Sequence, residues 1–169
     1  MIYEPQHLKS RQVMYEKKDK WLTRLVFLSW LGLSFFYVNI RVSYIRVRLG
    51  ILATVFGFIV ITIVYFLSVF FVLMWRRYQF EKLINSIVIE YQETKNGKLF
   101  LKKLLTIDVM PKDMSGEIVW YFNISTAFSA LGKRNECIAL LEQLEEVATG
   151  ETKEQIQKSI RTEKEQLVR

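Results

Sequence analysis

A thiol, an imidazole and paired carboxylates carry much of protein chemistry, and here they stand far apart in the chain. Cys137 is the only cysteine and His7 the only histidine. No Cys–His or Ser–His couple can be drawn from nearby positions, so the usual activated nucleophile lacks its base. Metal centres are likewise short of their commonest ligand. Cys137 falls on the apolar side of a predicted helix, where a thiol behaves as a small hydrophobe. Glu145 and Glu146 belong to a solvated helix surface, as do the acids of the last twenty or so residues. Asn123-Ile124-Ser125 fits a glycosylation sequon but lies inside a predicted helix. No glycine-rich phosphate loop is present in the sequence. These residues predict a protein that is not an enzyme, with no catalytic or metal-binding group and no cofactor. A single cysteine also excludes an intrachain disulfide.

Charge narrows the function classes further. The net charge is +7, which raises nucleic acid as a partner. Its distribution argues otherwise. Residues 1–77 hold 11 Lys/Arg against 3 Asp/Glu, a net of +8, while residues 78–169 hold 13 against 14, a net of −1. The excess cations flank apolar segments, where they suit anionic headgroups and orientation. The rest of the chain has no basic stripe with stacking aromatics, so no nucleic-acid partner is expected.

The apolar segment that organises the chain is Leu49 to Trp75, 27 residues without a charge. A hydrocarbon core of about 30 Å needs about 20 helical residues. In lipid the backbone must bond within its own segment, so a helix is expected despite many β-branched residues. Trp75, Arg76, Arg77 and Tyr78 then supply interfacial aromatics and snorkelling cations. A second uncharged run of 16 residues, Leu25 to Ile40, is short on its own but spans when flanked by Trp21, Arg24, Arg41 and Tyr44. The connector from Arg41 to Arg48 is short enough for an antiparallel hairpin. An interfacial first helix remains the alternative. Neither run holds a central acid or base, so no proton relay or ion path is expected in them. Nine Lys/Arg sit near the outer ends of the two segments and three in the connector, which predicts both termini in the cytoplasm. Residues 1–20 form a basic tail without the features of a cleaved secretory signal. Such a tail either stays solvated or lies on the bilayer as an amphipathic helix.

Beyond Arg77 the periodicity changes. Phe80, Leu83, Ile84, Ile87, Val88 and Tyr91 trace one apolar face, so the second span is expected to run on as a soluble helix. Asn96-Gly97 is expected to end it, with the glycine taking a left-handed conformation. Phe100, Leu101, Leu104 and Leu105 mark a short helix stopped before Pro111. Ser115 is the expected N-cap of the next, whose stripe is Trp120, Ile124, Ala127, Phe128 and Leu131 up to Gly132. Asn135 would cap a helix with Cys137, Ile138, Leu141 and Leu144 inward, and Gly150 would close it. Thr152 with Gln155 fits a capping box for a last, mostly charged helix over 152–168.

Residues 117–147 resemble a tetratricopeptide repeat. Tyr121, Ile124, Ser125, Phe128, Gly132, Cys137, Leu141 and Leu144 stand in register with that repeat's pattern of aromatic, small and apolar positions. Departures are Ser125 for Gly, Leu144 for the usual Ala, and no closing Pro. A shift of about 36 residues superposes the preceding helix pair, Ile84 on Trp120 and Leu101 on Cys137, without the small residues. The resemblance implies a groove lined by Val119, Phe122, Asn123, Thr126 and Ala130, with Phe122 an apolar anchor and Asn123 gripping a partner's backbone. The alternative is an unrelated small helical bundle with Phe122 and Val119 in its core.

The sequence therefore predicts an all-α protein: a basic tail (1–20), a transmembrane hairpin (21–76, with helices near 21–44 and 49–75), and a cytoplasmic stack of about five helices (77–169). The expected function is a membrane-anchored adaptor that binds a protein partner at the soluble domain, with membrane lipid around the spans. The alternative is an accessory subunit of a larger transport or secretion complex, held by other transmembrane subunits. Trp30, Gly32, Ser34, Gly50, Ala53 and Gly57 would give the close helix contacts this requires.

Overall fold

In a computed structural model, residues 5–44 and 51–168 are described, without the side chains of residues 6, 41–44, 51–53, 76 and 168. These residues are all-helical, with six α-helices and no strand among them. After a single 3-10 turn (Pro5–His7), α1 runs Leu8–Tyr44 and α2 Ile51–Thr94. Then come α3 (Gly97–Leu105), α4 (Met114–Ala130), α5 (Arg134–Val147) and α6 (Gly150–Val168). At 1.5 Å per residue α1 and α2 extend about 55 and 66 Å. Both are long and apolar enough to cross a membrane, and no residue of their most apolar windows is buried. As the change of periodicity predicts, α2 continues without a break from its apolar half into a one-sided helix.

The chain divides into two compact units, Glu16–Trp75 and a second made of Met1–Tyr15 with Arg76–Arg169. In the first, α1 meets α2 through aromatic and hydroxyl groups. Trp30 Nε1 donates to Thr62 Oγ1 at 3.4 Å, and the Tyr37 hydroxyl donates to the Thr54 carbonyl at 3.1 Å. The Tyr65 hydroxyl donates to the Val26 carbonyl at 3.0 Å and touches Ser29 Oγ. Trp30 also packs between the rings of Phe58 and Phe66, each 6.3 Å away. These bonds give polar side chains partners within the helix pair, which an apolar solvent would not provide. Gly50 and the connecting residues 45–48 lie outside the described residues, as does the side chain of Ala53.

The second unit has a core of its own. Phe80, Ile84 and Ile87 of α2 meet Phe100 and Leu104 of α3, Trp120, Tyr121, Ile124 and Ala127 of α4, and Cys137, Leu141 and Leu144 of α5. Ile156 and Ile160 of α6 complete it. Helices α3 to α6 pack each on the next in chain order. Trp120 is fully buried, and its indole N–H donates to the Leu104 carbonyl at 2.8 Å, tying α4 to the end of α3. Tyr91 and Phe100 stack 4.3 Å apart, which closes α3 onto α2.

Several helix ends differ from the sequence expectation by one or two residues, each for a local reason. Lys95, with φ 52°, takes the left-handed conformation that ends α2. Gly97 instead opens α3 under the cap of Asn96, whose Oδ1 accepts from Leu99 N at 3.1 Å. A β-carbon on Gly97 would stand 3.2 Å from Ala130 Cβ, so the glycine serves close approach of α3 to α4. Asp113 replaces Ser115 as the cap of α4, its Oδ1 accepting from Gly116 N at 2.7 Å. Helix α5 starts at Arg134 without a side-chain cap, and Asn135 lies inside it. The closing turn of α4 already orders that entry. Gly132 (φ 74°) donates to the Ser129 carbonyl at 2.9 Å, and Lys133 N to that of Phe128 at 2.9 Å, the paired bonds of a Schellman turn. Gly150 opens α6, so Thr152 and Gln155 fall within it.

Replacing Trp120 by Phe removes the indole N–H and part of the core volume. Trp120→Phe should cost about 2–4 kcal/mol of stability in the second unit, since the Leu104 carbonyl is left unpaired in a buried site. Thermal unfolding followed by circular dichroism in detergent measures it, and a shift within error of wild type would contradict this account of the α3–α4 contact.

Candidate functional site

Val119, Phe122 and Asn123 line a small groove with Ile118 on α4 and with Thr152, Gln155 and Ile156 on α6. Its volume is about 160 Å³. The spacing of α4 explains the arrangement. Its Trp120–Ile124–Ala127 stripe turns into the core, and the residues one position away point along the edge. Val119 is 42 % exposed, whereas Phe122 is half-buried against the core. The Asn123 side-chain amide donates to the Val119 carbonyl at 2.8 Å, which holds it on its own helix and leaves its carbonyl oxygen to accept. Thr126 Oγ1 donates back to the Phe122 carbonyl at 3.1 Å. Ala130 lies exposed at the end of α4, beside Gly97. The structure thus brings three of the five expected residues to one groove and leaves Thr126 and Ala130 outside its lining.

A more polar groove of about 470 Å³ lies between α2 and the end of α3. Leu83 and Ile87 form one wall, Ile107 and Val109 the other, and the Lys103–Glu90 ion pair sits among the lining side chains.

The most constrained polar cluster centres on Glu117, in the first turn of α4. Glu117 is 2 % exposed. Arg11 Nη1 lies 3.2 and 3.0 Å from its two carboxylate oxygens and 3.4 Å from the Tyr121 hydroxyl. The Tyr15 hydroxyl donates to Glu117 Oε1 at 3.0 Å and also lies 3.3 Å from the Pro111 carbonyl. Leu8 is buried in the same core. Residues 8–15 are therefore not a solvated tail: Leu8, Arg11 and Tyr15 form one face of α1 docked on α4. Burial disfavours the Arg11 charge, but Glu117 and the neighbouring tyrosines outweigh it and raise its pKa. Burial and then the Glu117 carboxylate push the Tyr15 phenol well above its ordinary value. The signal in the sequence was the register. Glu117 shares the α4 face of Trp120, Tyr121 and Ile124, where a carboxylate demands a buried cation or donor.

Cys137 is buried, and burial pushes its thiol up to about 11, with Glu163 adding to the rise. Such a thiol is a poor nucleophile at neutral pH. Among the described residues no His/Cys/Asp/Glu group is arranged to hold a metal ion.

Of the expected membrane-interface residues, Trp21 and Arg24 are exposed on α1, and Trp75 is exposed and stacked on Phe71. Arg77 pairs with Glu81 at 2.7 Å, with Asp113 at 3.9 Å and Ser115 Oγ at 3.4 Å. The side chains of Arg41, Tyr44 and Arg76 lie outside the described residues. No protein-family model, curated protein or solved structure matches the chain.

Two outcomes follow from the Glu117 cluster and Cys137. Arg11→Met strands a buried carboxylate and should cost about 2–3 kcal/mol, less than for a fully buried pair because Arg11 is partly exposed. Adding Glu117→Gln should recover part of that loss, and a double-mutant cycle in urea measures the coupling. The pH dependence has a definite sign. Folding raises the Cys137 and Tyr15 pKa values, so their contributions hold below the unfolded values and are lost as pH rises through the folded ones. Stability should fall from about pH 9 to about pH 11, and Cys137→Ala should flatten the first part of that fall.

Proposed function

We propose that the protein is a membrane-anchored adaptor. The observation that carries this reading is the contrast between the two units. Residues 54–75 of α2 expose Val55, Phe56, Ile63, Phe70 and Phe71 over the side that α1 does not cover, whereas residues 76–169 with the docked Leu8 enclose a core of their own. A helix that is apolar all round belongs in lipid, and one with a single apolar face belongs beside a soluble core.

In this reading α1 and α2 cross the bilayer as a hairpin, with both termini on the cytoplasmic side favoured by the nine-to-three excess of Lys/Arg. The following helices act as a tetratricopeptide-like stack. Support for that comes from the register of Tyr121 to Leu144, the Gly132 turn and the sequential packing of α3 to α6. The partner is a protein segment held at the groove beside Val119, Phe122 and Asn123. It would use Phe122 as an apolar contact and the free side-chain oxygen of Asn123 as an acceptor for a backbone N–H. Binding of this kind needs no reactive group.

A photo-crosslinker at position 119 tests the adaptor. Capture of one protein, lost in Asn123→Ala combined with Val119→Asp and kept when residues 16–75 are exchanged for an unrelated hairpin, is the expected result. Capture that vanishes with the exchanged hairpin and survives the groove substitutions would instead make the protein an accessory subunit bound through its spans.

A further inference from the structure

We propose that the face of α1 turned away from α2 binds the headgroups of anionic phospholipids through Lys17, Lys20 and Arg24, with Trp21 as the interfacial anchor. The inference rests on the spanning reading given above and adds the lipid class. On a helix of 100° per residue these four side chains fall within roughly a 100° arc. All four are exposed, Trp21 by 62 %. No ion pair among the described residues engages Lys17, Lys20 or Arg24. Asp19 lies on the other side of the helix, and Glu16, one turn before Lys20 at the edge of the arc, sets a single acid against three cations.

The same arc continues into Leu28, Leu31 and Phe35, all exposed, Phe35 by 73 %. One face therefore passes from cations, through an indole, to aliphatic and aromatic groups. Those are the layers of a lipid monolayer taken from phosphate to acyl chain. The contacts with α2 lie about 150° further round, at Val26, Trp30 and Tyr37, so the stripe is not the seam of the helix pair. Three cations over about 10 Å of helix are enough to hold a phosphodiester between neighbouring side chains. A zwitterionic lipid presents the same phosphate with its own cation, and the stripe would favour it less.

The test uses the full chain in phosphatidylcholine vesicles with a trace of spin-labelled phosphatidylglycerol or spin-labelled phosphatidylcholine. The motionally restricted fraction of each label reports its association with the protein. Wild type should enrich the phosphatidylglycerol label, and each cation removed should lower that preference by up to about fivefold at low salt. Lys17→Gln, Lys20→Gln and Arg24→Gln together should bring it close to that of phosphatidylcholine. The exposed Lys153→Gln on α6 should leave it unchanged, and molar salt should weaken it in wild type. Equal restriction of both labels by wild type would overturn the inference, and so would an undiminished preference in the triple variant. Loss of the preference to inorganic phosphate, but not to chloride at equal ionic strength, would also overturn it by making the site one for soluble phosphate. Alkaline carbonate extraction is run beside these measurements. Release of the protein from the vesicles would show that the spanning reading itself had failed, whereas retention with no lipid preference would remove only the headgroup site.

Discussion

The apolar side chains of α2 between Thr54 and Trp75 find almost no cover within the chain, and that constraint shapes everything else. Phe56, Leu67, Phe70 and Phe71 are each more than half exposed, and α1 covers only one side of the helix. At about 25 cal/mol per Å², leaving so many large side chains in water costs several tens of kcal/mol, more than a domain of this size gains by folding. A bilayer removes that cost and imposes another, since backbone groups in hydrocarbon must all be paired. An unbroken helix meets that demand, and Trp30, Tyr37 and Tyr65 meet it for their own indole and hydroxyl groups. The proposed location and the observed helix pairing are thus two results of one solvent argument.

In the second unit the dominant constraint is reversed, because there a charge has been taken out of water. Glu117 sits where the α4 stripe would otherwise carry a hydrophobe. Desolvating the pair costs several kcal/mol per ion and roughly offsets its attraction, so Arg11–Glu117 adds little net stability. What it adds is a penalty for separation. A carboxylate left behind on α4 has no water to turn to, and Tyr15 cannot neutralise it. Leu8, Arg11 and Tyr15 are thereby held in one register on α4, which apolar contacts alone specify less sharply.

Much of the fold was legible in the sequence because it rests on local periodicity. The uncharged runs, the continuation of α2 past Arg77, the inward faces of α4 and α5 and the Gly132 turn all follow from spacing within ten or so residues. The helix starts were less legible, since Asp113 and Ser115 are both good caps two residues apart and only the turn after Pro111 decides between them. The docking of residues 8–15 was not legible, because a basic segment looks the same whether its cations face water or a carboxylate about a hundred residues later. Within the groove, the tetratricopeptide resemblance implied Val119, Phe122 and Asn123 together. It also nominated Thr126 and Ala130, which lie further along α4 than α6 reaches, and the path of α6 is a tertiary fact.

Each long helix changes its side-chain pattern along its own length. In α2 the pattern passes from apolar on every side, through Trp75, to the single face of Phe80, Ile84, Ile87 and Tyr91. In α1 it passes from the single face of Leu8, Arg11 and Tyr15, through Lys17, Lys20, Trp21 and Arg24, to exposed apolar residues from Leu25 onward. The backbone stays helical through those points, so only the side chains change. Tryptophan and the long cations suit that position because each joins an apolar body to a polar tip. Placing such residues in two separate helices costs nothing in water and gains only at a boundary. In the proposed spanning arrangement the boundary would cross α1 near Trp21 and α2 near Trp75.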